Sequence, residues 1–143
     1  MYIISACLVG ENCKYNGGNN ECQWVVEFAE KNRDKCILVC PEIDVFSAPR
    51  LPMEIVDGKV INKASKDVTN ELLQGIEKEW EKIEAISNGK EIEFAILKAN
   101  SPSCGNKMIY DGTFSGKLIE GEGFFAKHLR EKGIKIYNEH DRI

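Results

Sequence analysis

Six cysteines, at positions 7, 13, 22, 36, 40 and 104, have the greatest chemical reach in this chain. Six in 143 residues is about 4%, below the roughly 8–10% of disulfide-built scaffolds. The stretch Met1–Cys7 carries no basic region and no long apolar run, so a secretory signal is not expected. The expected compartment is therefore the cytoplasm, where thiols stay reduced. Reduced thiols serve as small buried hydrophobes, as metal ligands or as nucleophiles, and position decides among these.

The elements that must position them are legible from apolar runs. Tyr2–Ser5, Cys36–Cys40, Phe94–Leu97 and Ile134–Tyr137 read as short strands without polar alternation, as strands buried on both faces do. Between them lie helical patterns. The first runs through Trp24, Val25, Phe28 and Ala29 to about Asn32, with an Asn20-x-x-Gln23 capping box at its start. The second is opened by Asp67 and closed by Asn88-Gly89, with Val68, Leu72, Leu73, Ile76, Trp80, Ile83 and Ile86 as its apolar stripe and Glu and Lys as a solvated face. The third runs near Glu122–Lys132. Residues 41–66 hold Pro41, Pro49 and Pro52 and read as a long loop with a small hairpin turning at Asp57-Gly58. Alternating strands and helices imply right-handed crossovers and a parallel sheet. The expected fold is a single α/β domain over residues 1–143, three-layered and Rossmann-like, with a small, mostly parallel sheet.

In such a sheet the loops after the strands open on one edge, where ligands bind. Cys7 follows the first strand, Cys40 ends the second and Cys104 lies a few residues past the third. Three thiolates at one edge can hold a soft metal centre with one position left open, as catalytic metal sites require. Each thiol taken alone reads first as a packed core residue; it is their falling together at one edge that favours a site. Cys36 falls at the opposite end of its strand and reads as structural; Cys13 and Cys22 lie in or beside a Gly-rich loop. Cys36 and Cys40, four residues apart on a strand, would stand about 13 Å apart, too far for a disulfide.

The blocks Ser5-Ala6-Cys7-Leu8, Cys13-x-Tyr15-x-Gly17-Gly18, Val39-Cys40-Pro41-Glu42, Pro49-Arg50-x-Pro52-x-Glu54-Ile55, Ser101-Pro102-Ser103-Cys104-Gly105 and Tyr110-Asp111-Gly112-Thr113-Phe114-Ser115-Gly116 occur in order along nearly the whole chain. This series resembles a bacterial domain family that includes thiouracil desulfidase. The resemblance implies a [4Fe-4S] cluster held by Cys7, Cys40 and Cys104, with the fourth iron open to the substrate's sulfur. Asn16 stands where the family usually has Asp, and Phe46-Ser47-Ala48 replaces a more Gly-rich stretch.

The implied chemistry is removal of sulfur from a thiocarbonyl: a soft iron site binds sulfur and activated water attacks the carbon. Glu42, two residues beyond Cys40, is the candidate base. The resemblance points to Ser101 and Ser103 as positioning or proton-relay hydroxyls, although serines in such a loop also cap turns. Arg50 is a candidate for binding an anionic substrate, for neutralising the cluster or for pairing with a carboxylate. Tyr15, Tyr110 and Asp111 are candidate substrate-binding residues, an aromatic wall suiting a flat pyrimidine.

Composition limits the partners. Net charge is −4 at pH 7, which argues against a duplex nucleic-acid binder but not against a single base or nucleoside. No apolar run approaches the roughly 18 residues of a membrane span. The glycines match no phosphate-loop spacing. The expected partner is a small thiolated base or nucleoside; two other readings of the same thiols are a zinc protein and a non-catalytic small-molecule module. The sequence leaves the oligomeric state open.

Overall fold

A computed structural model describes residues 1–141 and 143. Four parallel strands, β1 (Tyr2–Ser5), β2 (Cys36–Val39), β5 (Phe94–Leu97) and β8 (Ile136–Asn138), form one sheet in the order β2-β1-β5-β8. The pairings Ser5↔Val39, Ile4↔Ile96 and Leu97↔Asn138 bring the carboxyl ends of all four strands to one edge.

Alternation along the strands builds two cores. Ile3, Ile37, Val39, Ala95 and Leu97 point to one face, where they meet Leu72, Ile76 and Ile83 of α2 (Thr69–Ser87) and Phe125, Ala126 and Leu129 of α3 (Phe124–Glu131). Ile4 and Ile96 point to the other, against Val25, Trp24 and Phe28 of α1 (Gln23–Lys31). Helices therefore cover both faces, and the fold is the expected three-layer α/β arrangement with a parallel sheet.

Two antiparallel hairpins extend this frame. β3 (Met53–Val56) pairs with β4 (Lys59–Asn62) across the expected turn, with Asp57 and Gly58 both at positive φ, 49° and 75°. β6 (Met108–Tyr110) pairs with β7 (Leu118–Glu120). This second hairpin lacks a burial pattern to announce it, because all of β7 is exposed.

Three local expectations are corrected. Asn20 caps no helix: α1 begins at Gln23, while the Asn20 N–H donates to the Cys7 carbonyl at 2.9 Å. On α2, Leu73 and Ile86 are exposed, so the apolar stripe is narrower than read. Glu79, assigned to a solvated face, is instead buried on that stripe. Helix α2 can approach so closely because of Gly75: a Cβ there would lie 2.0 Å from the Pro41 carbonyl oxygen. Asp67 does support the start of α2, its Oδ1 accepting the Thr69 N–H at 3.0 Å.

Candidate active site

The carboxyl edge of the sheet opens into a cavity of about 440 Å³. Cys7, Cys40 and Cys104 all line it, and so does Cys13. Cys7 sits in a short 3-10 helix, Ala6–Val9, immediately after β1. Cys40 directly follows β2, and its N–H donates to Glu79 Oε1 of α2 at 3.3 Å. Cys104 lies in a turn whose geometry is set by Ser101, where Oγ accepts the Cys104 N–H at 2.7 Å. That turn rests on the start of α3: the N–H groups of Phe125 and Ala126 donate to the Ser103 carbonyl at 2.8 and 3.1 Å. Gly123 is required at this junction, since a Cβ would fall 2.5 Å from the Ser103 carbonyl carbon.

The thiols are electrostatically unequal. The Cys7 thiol is lowered to about 7, chiefly by a hydrogen bond from Cys13 and with help from Asn20, against the effect of burial. Cys40 is lowered by the same Cys13 thiol. Cys13 is correspondingly raised, first by its bond to Cys40. Cys104 is pushed up to about 12 by burial, with a bond from Ser5 in opposition. Cys13 is thus the thiol driven up, and Cys7 and Cys40 are the ones driven down.

A second group of residues faces the same cavity. Glu42 and Arg50, both largely buried, form an ion pair with Nη2 3.3 Å from Oε1. Ser103 Oγ donates to Glu42 Oε2 at 2.6 Å, and Ser101 Oγ lies 3.3 Å from Ser103 Oγ. Arg50 Nη2 also donates to the Cys13 carbonyl at 2.9 Å. Of the roles considered for Arg50, the geometry shows carboxylate pairing, with a cavity residue as partner. Tyr15 and Tyr110 line the cavity as well. Asp111 does not: its carboxylate accepts the N–H and hydroxyl of Thr113 at 3.0 and 2.6 Å and builds a turn.

Cavity residues to which sequence reasoning gave no role include Lys98, Glu54 and Phe114; Cys13, whose role it left open, lines the cavity too. Lys98 follows β5 at the same edge as the thiols, a position that was legible. It pairs with Glu139, just beyond β8, at 2.8 Å. Cys36 is outside the lining, as expected from its place at the far end of β2.

A thiol-rich donor set of this kind suits iron–sulfur ligation. Among the described residues, no three His, Cys, Asp or Glu side chains converge tightly enough for a single metal ion. Residues 2–141 match the family described as 2-thiouracil desulfurase. The chain belongs to that family. Within the 2-thiouracil desulfurase family it is similar to "Uncharacterized protein YbbK" of Bacillus subtilis (strain 168), at 35% identity over 99% of this chain and 97% of the relative. It is also similar to the solved structure of "[4Fe-4S]-dependent thiouracil desulfidase TudS", at 32% identity and a TM-score of 0.81, covering 97% of this chain and 90% of that one. Among the described residues, no helix is long and apolar enough to cross a membrane.

Proposed function

We propose that this chain is an iron–sulfur-dependent desulfidase that replaces the sulfur of a thiolated pyrimidine or nucleoside with oxygen from water. The observation that carries this reading is the facing of Cys7, Cys40 and Cys104, from three separate loops, into one cavity with the buried Glu42. In this reading the three thiolates hold a [4Fe-4S] cluster through three of its irons. Bound there, the cluster would supply a soft Lewis-acidic iron for the substrate's sulfur. The net reaction is hydrolytic: a C=S bond is lost, a C=O bond is gained, sulfur leaves as hydrosulfide, and no electrons are exchanged.

The chain's own residues provide positioning and proton transfer. Glu42 takes a proton from the attacking water. Its two oxygens are held separately, Oε1 by Arg50 and Oε2 by Ser103, which fixes the carboxylate plane. The Ser101–Ser103 hydroxyl pair offers a short path for returning that proton toward the leaving group. Tyr15 and Tyr110 furnish apolar wall. A cytoplasmic setting, which keeps thiols reduced, suits cysteines that act as ligands.

The test is anaerobic reconstitution followed by incubation with 2-thiouracil. Expected are about four irons and four acid-labile sulfides per chain and equimolar release of sulfide and uracil. Stable binding of one zinc with no labile sulfide under the same conditions would exclude the reading.

A further inference from the structure

Phe114 stands in the β6–β7 connection with φ at +56°, in the left-handed region where a bulky aromatic is uncommon and strained. Its side chain lines the thiol cavity and belongs to neither apolar core. The strained backbone is tied to β3 through one atom. Oε1 of Glu54, a buried carboxylate on β3, accepts the N–H of Gly112 at 2.9 Å and of Phe114 at 3.1 Å. The fit is close: Gly112 has φ +92°, and a Cβ there would meet Val56 Cγ2 at 2.7 Å and the Ile55 carbonyl at 2.9 Å. A loop that only joined two short strands would not need an ionisable group withdrawn from water to hold an aromatic residue in a costly conformation. Of the other cavity aromatics, Tyr15 is 41% exposed and Tyr110 sits in regular strand.

We infer that Phe114 is a specificity-determining platform on which a planar heteroaromatic ring stacks beside the thiols, and that Glu54 is the positioning residue that sets it. The substrate class rests on the desulfidase reading above; the placement of Phe114 does not. An aromatic face recognises the ring and not the thiocarbonyl, so it selects cyclic thiones over acyclic thioamides.

The experiment uses the reconstituted holoprotein and measures uracil binding by equilibrium dialysis, together with sulfide release from 2-thiouracil. Phe114→Leu is expected to weaken uracil binding and raise KM about tenfold with kcat little changed, whereas Phe114→Tyr stays near wild type. Glu54→Ala reproduces the Phe114→Leu defect, and Glu54→Gln, which keeps a carbonyl acceptor, rescues it. The inference is overturned if Phe114→Leu leaves both quantities unchanged, if Glu54→Gln is as defective as Glu54→Ala, or if the wild-type protein does not bind uracil. A wild type that binds uracil in a Phe114-dependent way yet releases no sulfide leaves the platform standing and removes the desulfidase reading alone.

Discussion

Ser103 Oγ donates to Glu42 Oε2 at 2.6 Å, joining the loop that follows β5 to the loop that follows β2. The bond ties the carboxylate beside one thiol to the residue preceding another. If Glu42 is the proton acceptor, its removal costs more than removal of either group that holds it. Glu42→Gln is expected to lower kcat about 10²–10⁴-fold. Ser103→Ala should lower it about tenfold, because Arg50 still engages the other oxygen. Iron content should be unchanged in both. Sulfide-release kinetics on protein of matched iron content would decide, and equal losses would contradict the assignment.

Replacement of the thiols separates ligands from bystanders. Cys7→Ser, Cys40→Ser and Cys104→Ser are each expected to abolish the visible iron–sulfur absorbance after anaerobic reconstitution. Cys36→Ser, at the distant end of β2, should retain full iron and sulfide. Loss of iron in the Cys36 variant together with retention in any of the other three would reverse the ligand assignment.

Gly75 supports the site from behind. Glycine-to-alanine in a helix interior ordinarily stabilises by about 0.5–1 kcal/mol. Here the added methyl would meet the Pro41 carbonyl at 2.0 Å, adjacent to Cys40 and Glu42. Overlap with backbone dominates, so Gly75→Ala is expected to destabilise by about 2–3 kcal/mol. It should also weaken cluster retention. Denaturant unfolding of the apoprotein measures the first effect and iron counting the second; a gain in stability would show that the helix–loop contact is looser than described.

Glu79 gives a pH dependence of definite sign. Its carboxyl is raised from 4.5 to about 7, first by burial and then by hydrogen bonding to Asp44, with Lys82 acting in the other direction. The Lys82 ammonium lies 2.9 Å from Oε2 without hydrogen-bond alignment. A raised carboxyl favours the fold fully below the unfolded value of 4.5 and loses that contribution as pH rises through about 7. Glu79→Gln keeps an acceptor for the Cys40 N–H and removes the titration. The stability difference between wild type and this variant is therefore expected to shift by about 2 kcal/mol against wild type between pH 5 and pH 8. Thiol titrations are common to both proteins and cancel. Parallel stability curves would refute it.

The parallel sheet was legible because Ile3-Ile4, Ile37-Leu38-Val39 and Ala95-Ile96-Leu97 are apolar on consecutive residues, as strands covered on both faces must be. That topology alone brought positions 7, 40 and 104 to one edge. Glu79 was misread through its type. Its spacing from Leu72, Ile76 and Ile83 already put it on the buried stripe, but a carboxylate there makes sense only once Gly75 lets the helix meet the Cys40 loop. Phe114 was missed, and the role of Cys13 left open, for a related reason. Both lie in irregular backbone whose path is held by distant partners, Arg50 at the Cys13 carbonyl for one and Glu54 for the other, and no local periodicity records such a path.

The Ser101–Cys104 turn hangs on the first N–H groups of α3, twenty residues and more downstream. During synthesis the third thiol therefore emerges well before the segment that fixes its place. Until residues 124–126 have been made and docked, the turn that carries Cys104 lacks the N–H donors to its Ser103 carbonyl. If Cys7, Cys40 and Cys104 hold the cluster, its loading should be a late event, complete only after α3 has docked.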